Sequence, residues 1–159
     1  MSVVCSTAVV TINPAFFQEI KEVNQELWHI LNALRERCAV SIAIHHRRGL
    51  CDLLQELRDQ LALHFALEEA YGYFQDPVAA APQLSDRAEK LRDEHRELYL
   101  DLSAFADEAE RKHGYEDHEA FAIWIGPRFR RFDTRLRDHE RRENDLIYDA
   151  YESDLGVGD

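Results

Sequence analysis

The chain has 159 residues with a hydrophobic fraction of 45%, which suits one globular domain with a packed core. Its formal net charge of −12 argues against nucleic acids and anionic membranes as partners, because both would repel it. Only 6 glycines and 4 prolines interrupt the long amphipathic runs, which favours an all-α fold.

The start of the chain, MSVVCSTAVVTINP, is apolar but short, and it has no Lys or Arg before its apolar stretch, so it matches a secretory signal peptide only weakly. No segment approaches the roughly 20 apolar residues of a membrane helix. Cys5, Cys38 and Cys51 lack CxxC spacing, so neither a disulfide framework nor a thiolate metal site follows from them. We expect a soluble, cytoplasmic protein with reduced cysteines, an extended arm over residues 1–12 and one domain over residues 13–155.

The first helix is predicted to begin at Asn13 and Pro14, because an N-cap residue followed by proline is a helix-start signal. The segment VSIAIHHRRG at 40–49 is β-branched, then basic, and closes on a glycine, so we place the next turn inside it. The second helix is predicted to continue to about Phe74. A loop with two prolines follows, and Ser85 or Asp86 is the candidate N-cap of the third helix.

The third helix is predicted to end at His113 and Gly114. The segment YEDHEAFAIWIGP at 115–127 indicates a short helix that ends at Gly126, after which Pro127 begins the fourth long helix. Four long helices with connections of moderate length predict an up-down antiparallel four-helix bundle, with that short extra helix before the fourth long one.

Polar residues interrupt the apolar stripes of three helices. Along each helix the apolar residues advance by steps of three and four, which marks the face that meets the partner helices. The polar interruptions are His64, Glu68, His95, His139 and Glu143. A single buried histidine is most often a hydrogen-bonded core residue, but this set would cost several kcal/mol per uncompensated ion. A divalent metal offsets that cost, and imidazole with carboxylate but without thiolate suits iron, manganese or zinc.

An internal repeat points to one further residue. NQELW at 24–28 matches HRELY at 95–99, and HFALE at 64–68 matches HERRE at 139–143. Each half would then be a helical hairpin with one polar position on its first helix and HxxxE on its second. The position equivalent to His95 is Asn24, which also lies on the apolar stripe of the first helix, so we expect Asn24 to face the site.

HFALEE, the DEH that precedes REL, and HERRE together resemble the hemerythrin-like, His-His-Glu cation-binding family over about residues 14–153. The resemblance implies an up-down four-helix bundle that holds a non-haem di-iron centre. It implies roles in binding or sensing dioxygen, nitric oxide or iron, in handling peroxide, or in repairing iron–sulfur centres. Carried over, the terminal ligands are His64, His95 and His139, and the bridging carboxylates are Glu68 and Glu143.

The resemblance has one departure, because the family usually has a histidine on the first helix where this chain has Asn24. The missing imidazole could come from His29, His45 or His46, or Asn24 could ligate weakly through its amide oxygen. An incomplete shell lowers metal affinity but leaves an open position for a small diatomic ligand or peroxide.

Two other functions stay open beside a di-iron binding or redox-sensing protein. One is an enzyme-like turnover of peroxide or nitric oxide, although no general acid–base pair or nucleophile stands out. The other is a degenerate, metal-free bundle that acts as a protein-interaction module. A sensor of this size would also need a separate, as yet unidentified protein partner.

Overall fold

The computed structural model describes residues 14–70, 78–79 and 81–156. The predicted N-terminal arm, the Asn13 cap and the end of the second helix near Phe74 lie outside the described residues. Within the described ranges the elements are helices, without strands, and no helix combines the length and apolar character needed to cross a membrane. The elements are α1 (Pro14–Arg37), α2 (Val40–Ala43), α3 (Arg47–Ala70), a 3₁₀ turn (Pro82–Leu84), α4 (Ser85–Tyr115) and α5 (His118–Gly156).

The four long helices α1, α3, α4 and α5 form the bundle. Each long helix packs against the next one along the chain, α1 on α3, α3 on α4 and α4 on α5. Connections of moderate length between neighbours that pack in this way make successive helices antiparallel. The predicted all-α, up-down four-helix architecture is therefore confirmed.

Among the described residues, the interior consists of two apolar clusters with a polar layer between them. The larger cluster joins all four long helices and includes Leu31, Leu54, Phe105 and Phe132. The smaller cluster is built from the start of α4 and the end of α5, around Leu91. The residues between the two clusters along α4 and α5 are His95, His139 and Glu143. Along α3, His64 and Glu68 lie on either side of Phe65, the last residue that this helix contributes to the larger cluster.

The predicted break before the fourth long helix was wrong, because α5 runs without interruption through Gly126 and Pro127. Proline removes one backbone hydrogen bond, but Phe121 on one side of it and Phe129 on the other are both buried in the same cluster. Burial of both rings requires one continuous helical face, and this outweighs the local signal. Gly126 instead permits a close approach, since a Cβ there would lie 2.9 Å from the Cys38 carbonyl oxygen.

The turn predicted within residues 40–49 is confirmed, although it also contains the short helix α2, whose Ala43 is buried. The predicted cap at Ser85 or Asp86 was wrong. Ser85 is the first residue of α4, and Leu84, at the cap position, makes no side-chain capping bond. Leu84 is buried, so apolar packing rather than a polar cap determines where α4 begins.

The end of α4 also differs from its prediction, because the helix continues past Gly114 to Tyr115. The Glu116 backbone N–H donates to the Lys112 carbonyl oxygen at 2.8 Å, which extends the helical bonding by one more residue. Helix α5 then begins with a side-chain cap, in which the Ala120 N–H donates to Asp117 Oδ1 at 2.7 Å.

Candidate metal centre

The five polar residues that interrupt the apolar stripes are all buried. The exposed fraction is 4% for His64, 3% for Glu68, 4% for His95, 0% for His139 and 1% for Glu143. Both HxxxE pairs place the carboxylate one helical turn after the imidazole on the same face. Their burial follows from the three-and-four spacing that the sequence already displayed.

Two groups of side chains in the described part of the chain could hold a metal ion, and the first, called group one, is formed by His95, His139 and Glu143. Glu143 Oε1 lies 2.9 Å from His95 Nε2 and 2.8 Å from His139 Nε2. One ligand atom from each residue lies within 4.8 Å of the others. Group one therefore offers two imidazole nitrogens and one carboxylate from α4 and α5.

His64, Glu68 and Glu140 form the second group, called group two. His64 Nε2 lies 2.8 Å from Glu68 Oε1 and 3.0 Å from Glu140 Oε1. The second oxygen of Glu68 lies 3.3 Å from His95 Nε2, so this carboxylate stands between the two groups. Glu68 has the position that a bridging carboxylate would need.

Several atoms of the site are buried without a hydrogen bond among the described residues. They include Glu68 Oε2, Glu143 Oε2 and His139 Nε2. His139 Nε2 lies close to Glu143 but is not oriented for a hydrogen bond to it. Unsatisfied buried polar atoms are costly and rare. Their donor types, imidazole nitrogen and carboxylate oxygen, are those that iron, manganese and zinc accept, so the residues fit a metal ion.

Three further carboxylates contact these histidines from the edge of the site. Each of the three comes from a helix other than that of the histidine it contacts. The contacts are Glu69 Oε1 with His95 Nδ1 at 3.2 Å, Glu94 Oε2 with His139 Nδ1 at 2.8 Å, and Glu140 Oε1 with His64 Nε2 at 3.0 Å. Carboxylates thus outnumber imidazoles by five to three in the cluster, and this excess negative charge favours a bound cation.

These three carboxylates were not predicted, although the sequence contains a faint signal for them. Each lies one residue from a stripe position, so its side chain is rotated by about 100° around its own helix, away from the face that points at the core. Helix α4 runs antiparallel to α3 and α5. The residue before a stripe position on α4 is therefore rotated away from the core in the same direction as the residue after a stripe position on α3 or α5. The pairs are Glu69 after Glu68, Glu94 before His95, and Glu140 after His139.

The hydrogen bond between His139 and Glu94 determines which nitrogen of the His139 ring carries the proton. An ionised carboxylate can only accept, so the His139 Nδ1–H donates to Glu94 and Nε2 is left as the nitrogen that faces Glu143. Arg142 holds Glu94 with two hydrogen bonds of 2.6 and 2.7 Å, and Asp138 accepts from Arg142 at 2.9 Å. The ring of His139 is therefore oriented by a chain of ion pairs that leads to the protein surface.

The titration of the histidines reflects their carboxylate partners. Burial alone would lower the pKa of His64, but Glu140 and Glu68 outweigh burial and raise that pKa to about 10. Burial is likewise outweighed at His95, where Glu143 and Glu68 raise the pKa to about 9. Burial opposes ionisation of Glu68, yet its two histidine neighbours lower the pKa of this carboxyl group. A metal ion must displace such protons, so metal binding should weaken as the pH falls.

Four residues were candidates for the ligand that the family usually supplies from the first helix: Asn24, His29, His45 and His46. Asn24 is half-buried, and its Oδ1 is buried without a hydrogen-bond partner among the residues described. His29, His45 and His46 are exposed, and the last two lie in the turn between α2 and α3, at the other end of α3 from His64. None of these three histidines joins either group of candidate ligands.

Comparison with known proteins identifies one family. A family model described as the hemerythrin HHE cation binding domain matches residues 15–151, which is most of the chain. No curated protein matches the chain, and no solved structure does.

Proposed function

Since this chain belongs to the hemerythrin HHE cation-binding family, we propose that it binds non-haem iron as a di-iron centre in the core of its bundle. The proposed ligands are His64, Glu68, His95, His139 and Glu143, with Asn24 as a weak contributor from α1. The centre would bind or sense dioxygen, nitric oxide or peroxide, or handle iron itself. Two free, buried cysteines, Cys38 and Cys51, suit the reducing cytoplasm in which we propose that the protein acts.

The observation that carries this proposal is the set of buried, unsatisfied atoms of Glu68, His139 and Glu143. A metal-free module with hydrogen-bonded histidines would be expected to pair these atoms with one another. Glu68 Oε2 instead lies 3.3 Å from His95 Nε2, and His139 Nε2 lies 2.8 Å from Glu143 Oε1, without hydrogen-bond geometry, as lone pairs directed at a shared ion would. The metal-free alternative leaves these atoms unexplained.

The chemistry of the donor set favours iron. Imidazole and carboxylate ligands without thiolate suit Fe, Mn and Zn, and among these iron supplies redox chemistry with small oxygen and nitrogen ligands. The ligand side chains would bind the ions, Glu69 and Glu94 would orient the rings of His95 and His139, and the two apolar clusters would keep bulk water out.

Iron content measured together with the visible spectrum tests the proposal. Protein reconstituted anaerobically with ferrous iron should retain iron after desalting, and the spectrum should change on addition of dioxygen, nitric oxide or peroxide. His139→Ala should lose most of the iron while keeping its helical circular dichroism. His29→Ala is the matched control, because His29 is an exposed histidine in the same bundle and should retain the iron.

Wild-type protein that cannot be loaded with ferrous iron would overturn the proposal in favour of the interaction module. Loss of iron in His29→Ala equal to that in His139→Ala would show that the metal is held outside the buried groups.

A further inference from the structure

Groups one and two differ in their donor atoms, and the difference comes from Glu140. Group one has two imidazoles and one carboxylate, whereas group two has one imidazole and two carboxylates. We propose that Glu140 takes the place of the first-helix imidazole as a metal ligand and makes group two an oxygen-rich position that accepts Mn²⁺ beside iron in group one. This inference rests on the proposed metal-binding function.

The side of α5 that carries Glu140 is the side that meets α1. Asp133, one residue after the buried Phe132, binds Arg35 of α1 through two hydrogen bonds of 2.9 and 2.6 Å. Glu140 follows Asp133 by seven residues, about two turns, and therefore shares its face. Glu140 thus emerges on the flank of α5 nearest the first helix, although its carboxylate contacts His64 of α3.

Asn24 lies opposite that flank. It precedes Arg35 by eleven residues, about three turns, so the two residues share one side of α1. Eleven residues span roughly 16 Å of α1 and seven span roughly 10 Å of α5, so in antiparallel helices Asn24 and Glu140 are about one turn apart in level. Glu140, rather than Asn24, is the residue that joins His64 and Glu68 in group two.

The two groups also differ in exposure. Glu140 is 19% exposed in its side chain, whereas the Glu143 side chain is fully buried. The buried Glu68 Oε2 has no hydrogen bond among the described residues, so group two also contains a buried oxygen whose lone pairs are unused. Asn24 Oδ1, buried and without a partner in the same described part of the chain, is a further oxygen on the adjoining helix.

Oxygen donors change the relative preference for metals. In nitrogen-rich sites Fe²⁺ outcompetes Mn²⁺ strongly, whereas carboxylate, carbonyl and water ligands suit Mn²⁺. Group one should therefore take the first iron, and group two should discriminate much less between the two ions. When iron is limiting and manganese is abundant, the expected product is a centre with one iron and one manganese ion.

Competitive loading tests this assignment. The metal-free protein is given about one equivalent of Fe²⁺ and roughly tenfold more Mn²⁺ under anaerobic conditions, then desalted, and both metals are measured by mass spectrometry. We expect close to one iron and one manganese per chain. Anomalous diffraction at the two absorption edges should place manganese beside Glu140 and iron beside His139.

Variants separate the role of Glu140 from a general charge effect. Glu140→Gln should weaken the second metal at least about tenfold while leaving iron in group one. Asn24→His returns an imidazole to α1 and should replace most of the bound manganese with iron, and slow the extraction of the second iron by chelators. Glu97→Gln, the same change at an exposed carboxylate of α4, should leave both metals in place.

The outcomes distinguish this inference from the function on which it rests. Protein that binds neither metal overturns both. Protein that binds iron only, at one or two ions per chain despite excess manganese, keeps the iron-binding function and overturns the inference. Manganese uptake that is unchanged in Glu140→Gln also overturns it, since the wild-type protein then holds manganese without Glu140.

Discussion

Leu54 and His64 lie ten residues apart on the same buried stripe of α3, yet their burial has opposite consequences. Leu54 belongs to an apolar cluster that is complete in itself, because its neighbours need only fill space. His64 belongs to a layer in which five carboxylates contact three imidazoles and several atoms have no hydrogen bond among the described residues. One face of one helix thus combines an apolar, space-filling region with a layer of titratable groups that could hold a metal ion.

The largest expected effect is in the apolar region. Leu54→Ala should lower the free energy of unfolding by about 2 to 5 kcal/mol, because it removes buried methyl groups and leaves a cavity. Since Leu54 lies roughly 15 Å along the helix from His64, the loss should be the same with and without chelator. Urea unfolding under both conditions measures it.

Leu63→Ala is the control, because Leu63 is 45% exposed on the same helix and its loss should be within about 0.5 kcal/mol. A Leu54→Ala loss that depends on metal would show that the two regions are energetically coupled.

The next effect is that of the metal on the polar layer. Iron at about a hundredfold above its dissociation constant should stabilise the native state by about 2.7 kcal/mol by mass action, because the ion binds the folded protein and not the unfolded chain. For a chain of this size that corresponds to a Tm roughly 5 to 10 °C higher than in chelator. Calorimetric melts of the loaded and the chelated protein measure the difference.

The same pair of melts on His139→Ala should coincide, because this variant has lost the centre. Coincident melts for the wild type, with iron shown to be bound, would place the metal outside the core.

The smallest effect concerns the ion pairs at the edge of the layer. Glu94→Gln removes the carboxylate that orients His139 and should weaken iron binding by about 10- to 100-fold, without loss of helicity. Glu97→Gln, three residues later on the exposed side of α4, is the matched control and should keep wild-type affinity. Anaerobic titration with ferrous iron against a competing chelator compares the two.

Equal affinity in both variants would mean that His139 is oriented by packing alone. A stability loss in Glu94→Gln without any change in iron affinity would likewise assign Glu94 a structural role only.

The sequence alone predicted the helical bundle and the buried polar set. Apolar steps of three and four locate the inner face of each long helix, and His64, Glu68, His95, His139 and Glu143 were recognised because they occupy that face. The family resemblance is confirmed by the family match over residues 15–151. That these residues ligate metal stays a prediction.

Tertiary structure decided which contacts are made by the side chains one residue away from the apolar stripe. Glu69, Glu94 and Glu140 lie about 100° from the inner face, a position that is usually solvated, and they contact histidines only because another helix lies alongside. The same is true of Asp133, which is buried against Arg35 of α1. A one-dimensional period defines the face of a helix, but not which helix lies beside its flank.

The helix boundaries show the same division. Gly126 and Pro127 are strong local signals for a break, and the sequence predicted one, yet α5 continues because the aromatic residues on both sides share one buried face. Local preferences of this kind amount to a few kcal/mol at most, whereas burial of several rings contributes more. The sequence therefore determined which residues turn inward, and only the packed bundle decided where the helices end and which carboxylates reach the histidines.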